Sequence, residues 1–366
     1  MNLNTSRAEL FQAGRKIYSS LIDDESREYF RLRTLFNLTS DFNYIKELIS
    51  LVPDFKGEKT HPNIDFFIKC KNYELDKRKL IIYGAGVWGK QLVKLSLGGI
   101  QWYAYCDKDK VKQGNTFFGL PVISPEKLIQ EYEDAIVIIP GFKHMRSIYE
   151  DLMDLGFNSS QILYFDQDPY GETVFLEDKQ YFENNIVQPQ ENEVFVDGGC
   201  FDFHSSKTFT KWCEGKYEKI FAFEPDPSNF KVCEENIKNL NLNNVNLINA
   251  GLWKENGELH FNAEGHGGSS ISEAGSSSVN VVSLDDVLGD QRVTFIKMDI
   301  EGAELEALKG AEKSIIANRP KLAICIYHKP EDILEIPMYL LSLVPDYKFY
   351  IRHYSNYTIE TVLYAV

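Results

Sequence analysis

The chain has 366 residues, 43% of them hydrophobic and 13% aromatic, with a formal net charge of −15. That is length for two or three domains with real cores, and too apolar a composition for a disordered chain. No stripe of clustered Lys and Arg relieves the acidic balance, which argues against nucleic acid and against anionic lipid surfaces as partners.

Six cysteines (Cys70, Cys106, Cys200, Cys213, Cys233, Cys325) are scattered without a C-x-x-C pair, so neither a zinc site nor a redox motif is expected. The N-terminus "MNLNTSRAEL" lacks a basic-then-apolar leader, and no apolar run reaches the length of a membrane span. The expectation is a soluble protein in a reducing, cytoplasmic setting.

Residues 1–75 carry apolar residues at three- and four-residue steps in "RAELFQAGRKIYSSLI" and "REYFRLRTLFNLTSDFNYIKELISLV". This predicts a helical N-terminal segment, packed on a neighbouring domain or on a second subunit of a homo-oligomer. Residues 76–168 alternate strand and helix: "KLIIYG", "IQWYAYCDKD", "DAIVIIPG" and "QILYFD" read as strands of a parallel sheet. "YGAGVWG" places Gly84, Gly86 and Gly89 in the G-x-G-x-x-G spacing of dinucleotide-binding turns. Asp107 follows at the end of the next strand, near the spacing of a ribose-binding acid. Residues 169–192 read as a linker helix and loop.

A second alternating series fills residues 193–366, with strands at "EVFVDGG", "KIFAFEP", "NVNLINAG", "VTFIKMD" and "KLAICIYH". It closes on "YKFYIRHYS" and "ETVLYAV", joined too closely for a parallel crossover, so an antiparallel hairpin is expected. Acids and glycines gather at the strand ends, the edge where open α/β sheets bind ligands. Asp197, Gly198 and Gly199 end the first strand. Glu224 ends the second, suited to accept hydrogen bonds from a ribose diol, with Asp226 beside it. Ala250 and Gly251 end the third, and Asp299 the fourth.

These stretches, with "AGLW", "SLDD", "FIKMDIEGAELEALKGA" and "PKLAICIYHKPEDILEIP", resemble the FkbM-type methyltransferases. The resemblance implies a class I methyltransferase fold: a mostly parallel seven-stranded sheet with an antiparallel C-terminal hairpin. It also implies S-adenosylmethionine as methyl donor and a hydroxyl acceptor. The family commonly has glycine where this chain has Phe203, which either narrows the donor site or points away from it. Residues 76–168 are similar to small nucleotide-sugar-binding domains, implying a Rossmann-like domain with a nucleotide or nucleotide-sugar near Gly84, Gly86, Gly89 and Asp107.

A hydroxyl nucleophile must lose a proton on methyl transfer, so a base or a metal is needed near the donor. Asp299, Glu301, Glu304 and His328 are the catalytic candidates. Acids in a helix's first turn also complement its dipole, and a loop histidine also serves backbone contacts, so these roles compete. The oxygen–nitrogen set leaves a metal open. "GHGGSSISEAGSSS" (265–278) is either a loop near the acceptor or a solvated excursion.

The combined reading is an S-adenosylmethionine-dependent O-methyltransferase acting on a sugar or related small polar acceptor, with surface polysaccharide synthesis as the setting the resemblance suggests. Two rivals stay open: an NAD-dependent oxidoreductase using the Gly84–Gly89 loop, and a non-catalytic nucleotide-binding scaffold.

Overall fold

Strands that read as unbroken apolar runs bury both faces, as parallel strands covered by helices do. Leu80–Tyr83, Phe295–Met298 and most of Ile136–Pro140 follow that rule. A computed structural model describes residues 7–57, 60–141, 144–165, 172–261 and 277–366. The chain divides into two compact units, one of residues 32–174 and one joining the N-terminal 31 residues to 175–366.

In the 32–174 unit, β1 (Leu80–Tyr83), β2 (Trp102–Cys106), β3 (Thr116–Phe117), β4 (Leu120–Ile123), β5 (Ile136–Pro140) and β6 (Ile162–Phe165) form one sheet. The order is β3-β4-β2-β1-β5-β6, parallel throughout except for the β3–β4 hairpin. The glycine turn after β1 enters the helix Val87–Leu95. Gly89 on that helix has no room for a side chain: a Cβ would sit 2.4 Å from the Gly84 carbonyl oxygen and 2.8 Å from the Tyr105 ring.

The other unit holds β7 (Glu193–Gly198), β8 (Tyr217–Phe223), β9 (Val245–Ile248), β10 (Gly251–Leu252), β11 (Gly257–Phe261), β12 (Ser277–Val282), β13 (Phe295–Met298), β14 (Lys321–Cys325), β15 (Phe349–His353) and β16 (Thr361–Ala365). Its main sheet runs β15-β16-β14-β13-β7-β8-β9, and β10-β12-β11 form a small separate sheet. β15, β16 and β14 pair antiparallel, and the remaining neighbours are parallel, so the sheet is mixed. The chain starts this sheet at β7, builds outward through β8 and β9, then restarts on the other side at β13. The crevice at such a reversal, outside the carboxyl ends of β7 and β13, is where open α/β sheets take ligands. Under it lies an aromatic core in which Phe195 and Phe209 stack at 4.2 Å, flanked by Phe182, Phe295 and Trp212.

Two sequence expectations change. Residues 1–75 are not one segment: the unit boundary falls inside the helix Asp24–Thr39, and the chain before it is tied to the C-terminal hairpin. There Ile22 N–H donates to the Phe349 carbonyl, Ile351 N–H donates to Ser26, and Arg352 pairs with Asp23 at 2.6 Å. That contact covers the otherwise open edge of β15. Nor do the described residues of the expected linker helix, 172–192, contain a helix; they form turns. Asn and Pro in "ENNIVQPQ" disfavour a helix, and burial of Tyr181 and Phe182 in the neighbouring core holds the segment as a strap. The Gly- and Ser-rich stretch lies outside the described residues up to Ser277, where β12 begins.

Candidate functional site

The turn after β7 is held from beneath by a buried ion pair. Lys297, on β13, donates to Asp197 Oδ1 at 3.0 Å and to the carbonyls of Gly198 and Gly199 at 3.1 and 2.8 Å. Ser205 and Ser206 each donate to Asp197 Oδ2 at 2.6 Å. Burial alone would lower the Lys297 pKa, but the Asp197 and Asp299 carboxylates outweigh it and hold the ammonium well above its usual range. Asp197 is fully buried, and its carboxylate is engaged by Lys297, Ser205 and Ser206. Lys297 was missed in the sequence reading; the signal was a lone charge inside the apolar run "FIKM".

Gly199 has φ +73, and a Cβ there would lie 2.0 Å from the Asp299 carbonyl oxygen. The glycine turn therefore packs backbone against backbone on the end of β13. Phe203 takes a left-handed conformation, φ +72, at the N-cap of the helix His204–Trp212. Glycine adopts that conformation without the strain a Cβ brings. The Phe203 side chain is 1% exposed and belongs to the aromatic core, so it points away from the crevice.

Glu224 accepts from Phe201 N–H at 3.0 Å and from Asp226 N–H at 2.9 Å, tying the ends of β7 and β8 together. Burial raises its pKa to about 7 against the pull of those two N–H groups. The Asn229 side chain also hydrogen-bonds the carboxylate. Asp226, expected as a donor contact, is spent as the N-cap of Pro227–Asn239, accepting from Ser228 and Asn229 N–H. Ala250 is buried, and Gly251 opens β10 rather than a loop.

The four catalytic candidates come together past the ends of β13 and β14. His328 Nε2 lies 3.5 Å from Asp299 and 3.6 Å from Glu301, and Nδ1 lies 2.9 Å from Glu304 Oε1. The last approach is off-axis, an ion pair without a hydrogen bond. Glu304, fully buried, accepts from Ile300 N–H and starts the helix Glu304–Lys309. Glu301 precedes that helix with φ +56 and Gly302 with φ +89, so the turn doubles back and brings Glu301 to the imidazole. Burial would depress His328, but Glu304, Asp299 and Glu301 together raise it to about 10. Burial raises Glu301 to about 7, and His328 opposes the rise. Asp299 resists the upward push of burial because His328 and Lys297 hold it low.

Three further residues, Gln180, Tyr181 and Glu360, were not visible in the sequence, and Tyr327, beside His328, joins them. Tyr181 donates to Asp299 Oδ2 at 2.7 Å from the strap, and Tyr327 donates to Asp299 Oδ1 at 3.2 Å and to Glu360 at 3.3 Å. Gln180 donates to Glu360. Burial and the Asp299 charge raise the pKa of Glu360.

In the 32–174 unit the expected nucleotide residues also converge. Asp107 accepts from Ala85 N–H at 2.9 Å and from Asp109 N–H at 2.9 Å, and Lys112 binds it at 2.9 Å while reaching the Ala85 carbonyl. Those N–H groups and Lys112 keep Asp107 below its usual range despite burial. The carboxylate expected to meet a ribose is thus already engaged within the loop.

The mixed sheet with a glycine turn at its reversal is an α/β fold with a methyltransferase among its structural neighbours. Residues 198–349 match the methyltransferase FkbM domain family, so the C-terminal region carries an FkbM methyltransferase domain; residues 76–163 match the C2185-like N-terminal family. The crystal structure of methyltransferase FkbM from Methylobacillus flagellatus KT is similar in fold, with a TM-score of 0.51 and 22% identity over 91% of this chain and 100% of that one. Hexuronic acid methyltransferase AglP of Haloferax volcanii is 30% identical, covering 36% of this chain and 54% of that protein. Methyltransferase 1 of Beauveria bassiana is 28% identical, covering 28% of this chain and 54% of that protein. The chain thus spans about half the length of these curated relatives.

Proposed function

We propose that the protein is an S-adenosylmethionine-dependent O-methyltransferase whose acceptor is a hydroxyl on a sugar or related polar molecule. The observation that carries this reading is the direct pairing of β7 with β13, Gly198 opposite Met298, which sets "VDGG" beside "KMDIEGAE" at one crevice. The sheet, taken as strands 3-2-1-4-5-7-6, fits a class I methyltransferase fold. The sugar acceptor leans on the likeness to AglP, a hexuronic acid methyltransferase.

The residues present fit the donor. The close backbone packing at Gly199 leaves the turn bare of side chains at that point, and Glu224, at the end of β8, is a carboxylate of the kind that accepts from a ribose diol. The bound donor supplies a methyl group already activated on a sulfonium. The chain's own work is to align the acceptor with it and remove a proton. In the metal-free chain Glu304, Asp299 and Glu301 raise His328 to about 10, so it carries its proton there and is not the base. Glu301, raised to about 7 and partly exposed, is the group poised to take the hydroxyl proton. The N-terminal glycine turn is not favoured as the catalytic centre, because Asp107 is bound by Lys112 and no acid–base set was found beside it among the described residues.

Isothermal titration of the full chain with S-adenosylhomocysteine tests the donor half. Saturable binding that Glu224→Ala weakens is expected. Absence of binding, with NAD binding in its place, overturns the reading.

A further inference from the structure

Buried polar atoms almost always find partners, so a group of them left without one marks a place built for something else. Among the described residues, Glu304 Oε2 and both ring nitrogens of His328 are buried without a hydrogen bond, and they share one small cluster. Glu304 is fully buried, and the His328 side chain is 9% exposed. One ligand atom each from Asp299, Glu304 and His328 lies within 4.8 Å of the others.

Those separations have a chemical meaning. Oxygen and nitrogen ligands about 2.1 Å from an octahedral ion sit about 3 Å apart when adjacent and about 4 Å apart when opposite. His328 turns Nδ1 to Glu304 at 2.9 Å and Nε2 to Asp299 at 3.5 Å, and one ion takes only one of these nitrogens; with one atom per residue the set lies within 4.8 Å, close to the span such an ion bridges. Hydrogen bonds from Tyr181 and Tyr327 fix the Asp299 carboxylate, as outer-shell donors fix metal-ligating carboxylates. The set contains two carboxylates and one imidazole and no thiolate, which selects a hard divalent cation.

We propose that Asp299, Glu304 and His328 form a binding site for a divalent cation of the Mg²⁺ or Mn²⁺ type at the ends of β13 and β14. The proposal deepens the acceptor half of the methyltransferase reading. With three protein ligands the ion keeps open positions, and an acceptor hydroxyl entering one would be acidified and held while Glu301, on the more exposed side, takes its proton. No oxidant or further reactant is needed: the oxygen–hydrogen bond breaks toward Glu301, and the oxygen–methyl bond forms as the sulfonium–methyl bond breaks.

The test is a Mn²⁺ titration of the chelator-treated full chain, followed by electron paramagnetic resonance in mildly alkaline buffer, where the imidazole releases its proton more readily. One saturable Mn²⁺ per chain is expected, with His328→Gln and Asp299→Asn each weakening it by about tenfold or more. Asp299→Asn keeps the shape of the side chain and carries the test if His328→Gln does not fold. Absence of saturable binding, or equal affinity in folded variants, overturns the proposal: protonated His328 is then the only cation the carboxylates need. Binding of S-adenosylhomocysteine without metal, measured on the same preparation, reports separately on the donor reading.

Discussion

Replacing Lys297 with methionine keeps most of the side chain's volume and removes its charge. Asp197 then stays fully buried with two serine hydroxyls and no cation, and two loop carbonyls lose their donor. At 3.0 Å the gross attraction is about 5 kcal/mol for an effective dielectric near 20. Desolvation offsets part of that in the intact pair, but removing one partner leaves the other's cost uncompensated, typically about 3–5 kcal/mol. In a chain of this size that corresponds to a melting temperature lower by roughly 10 °C. Thermal unfolding followed by far-ultraviolet circular dichroism reads it. The double variant Asp197→Asn with Lys297→Met removes both charges and should recover a large share of the loss. A loss under about 1 kcal/mol for Lys297→Met, or no coupling in the double-mutant cycle, would refute the claim that this pair holds the glycine turn.

Phe203→Gly should cost about 2–3 kcal/mol, because losing a buried phenylalanine costs about 3–5 kcal/mol and relief of the left-handed backbone returns about 1–2. Chemical denaturation measures it, and a gain in stability would show that the ring is not a core anchor. Metal-free protein should lose thermal stability as pH rises from about 6 to 9. Glu224, Glu301 and Asp332 are raised to about 7, Glu360 is raised, and His328 is raised to about 10. Each binds its proton more tightly when folded, so its contribution is full below its unfolded pKa and fades as pH climbs through the folded one. Calorimetry across that window checks this, and a flat or rising profile contradicts it. Arg352→Met should destabilise the chain and free the N-terminal helices, because Asp23 loses a partner at 2.6 Å; hydrogen exchange in residues 21–30 should rise.

Local patterns carried much of this structure. "EVFVDGG" and "VTFIKMD" were legible as strands because their apolar runs end in turn residues, and the terminal pair was legible as a hairpin because its connection is short. Asp226 carries a second, local signal: Asp before Pro marks a helix start, and the Asp226 side chain caps Pro227–Asn239. What stayed hidden was non-local. Tyr181 reaches Asp299 from 118 positions away, and the face taken by Lys297 on β13 is set by pairing with β7. The aromatic pull on the 172–192 strap depends on a core that forms from the residues after it. Phe203 could be flagged as a departure, but only its burial in the aromatic core told which way its ring turns.

The central claim is that the donor binds at the ends of β7, β8 and β13. Hydrogen-exchange mass spectrometry of the full chain, with and without S-adenosylhomocysteine, tests it most directly. The account predicts new protection in residues 197–206 and 224–230 and around 299–304, with none in 84–90. Protection confined to 84–90, or none anywhere under saturating ligand, would contradict it.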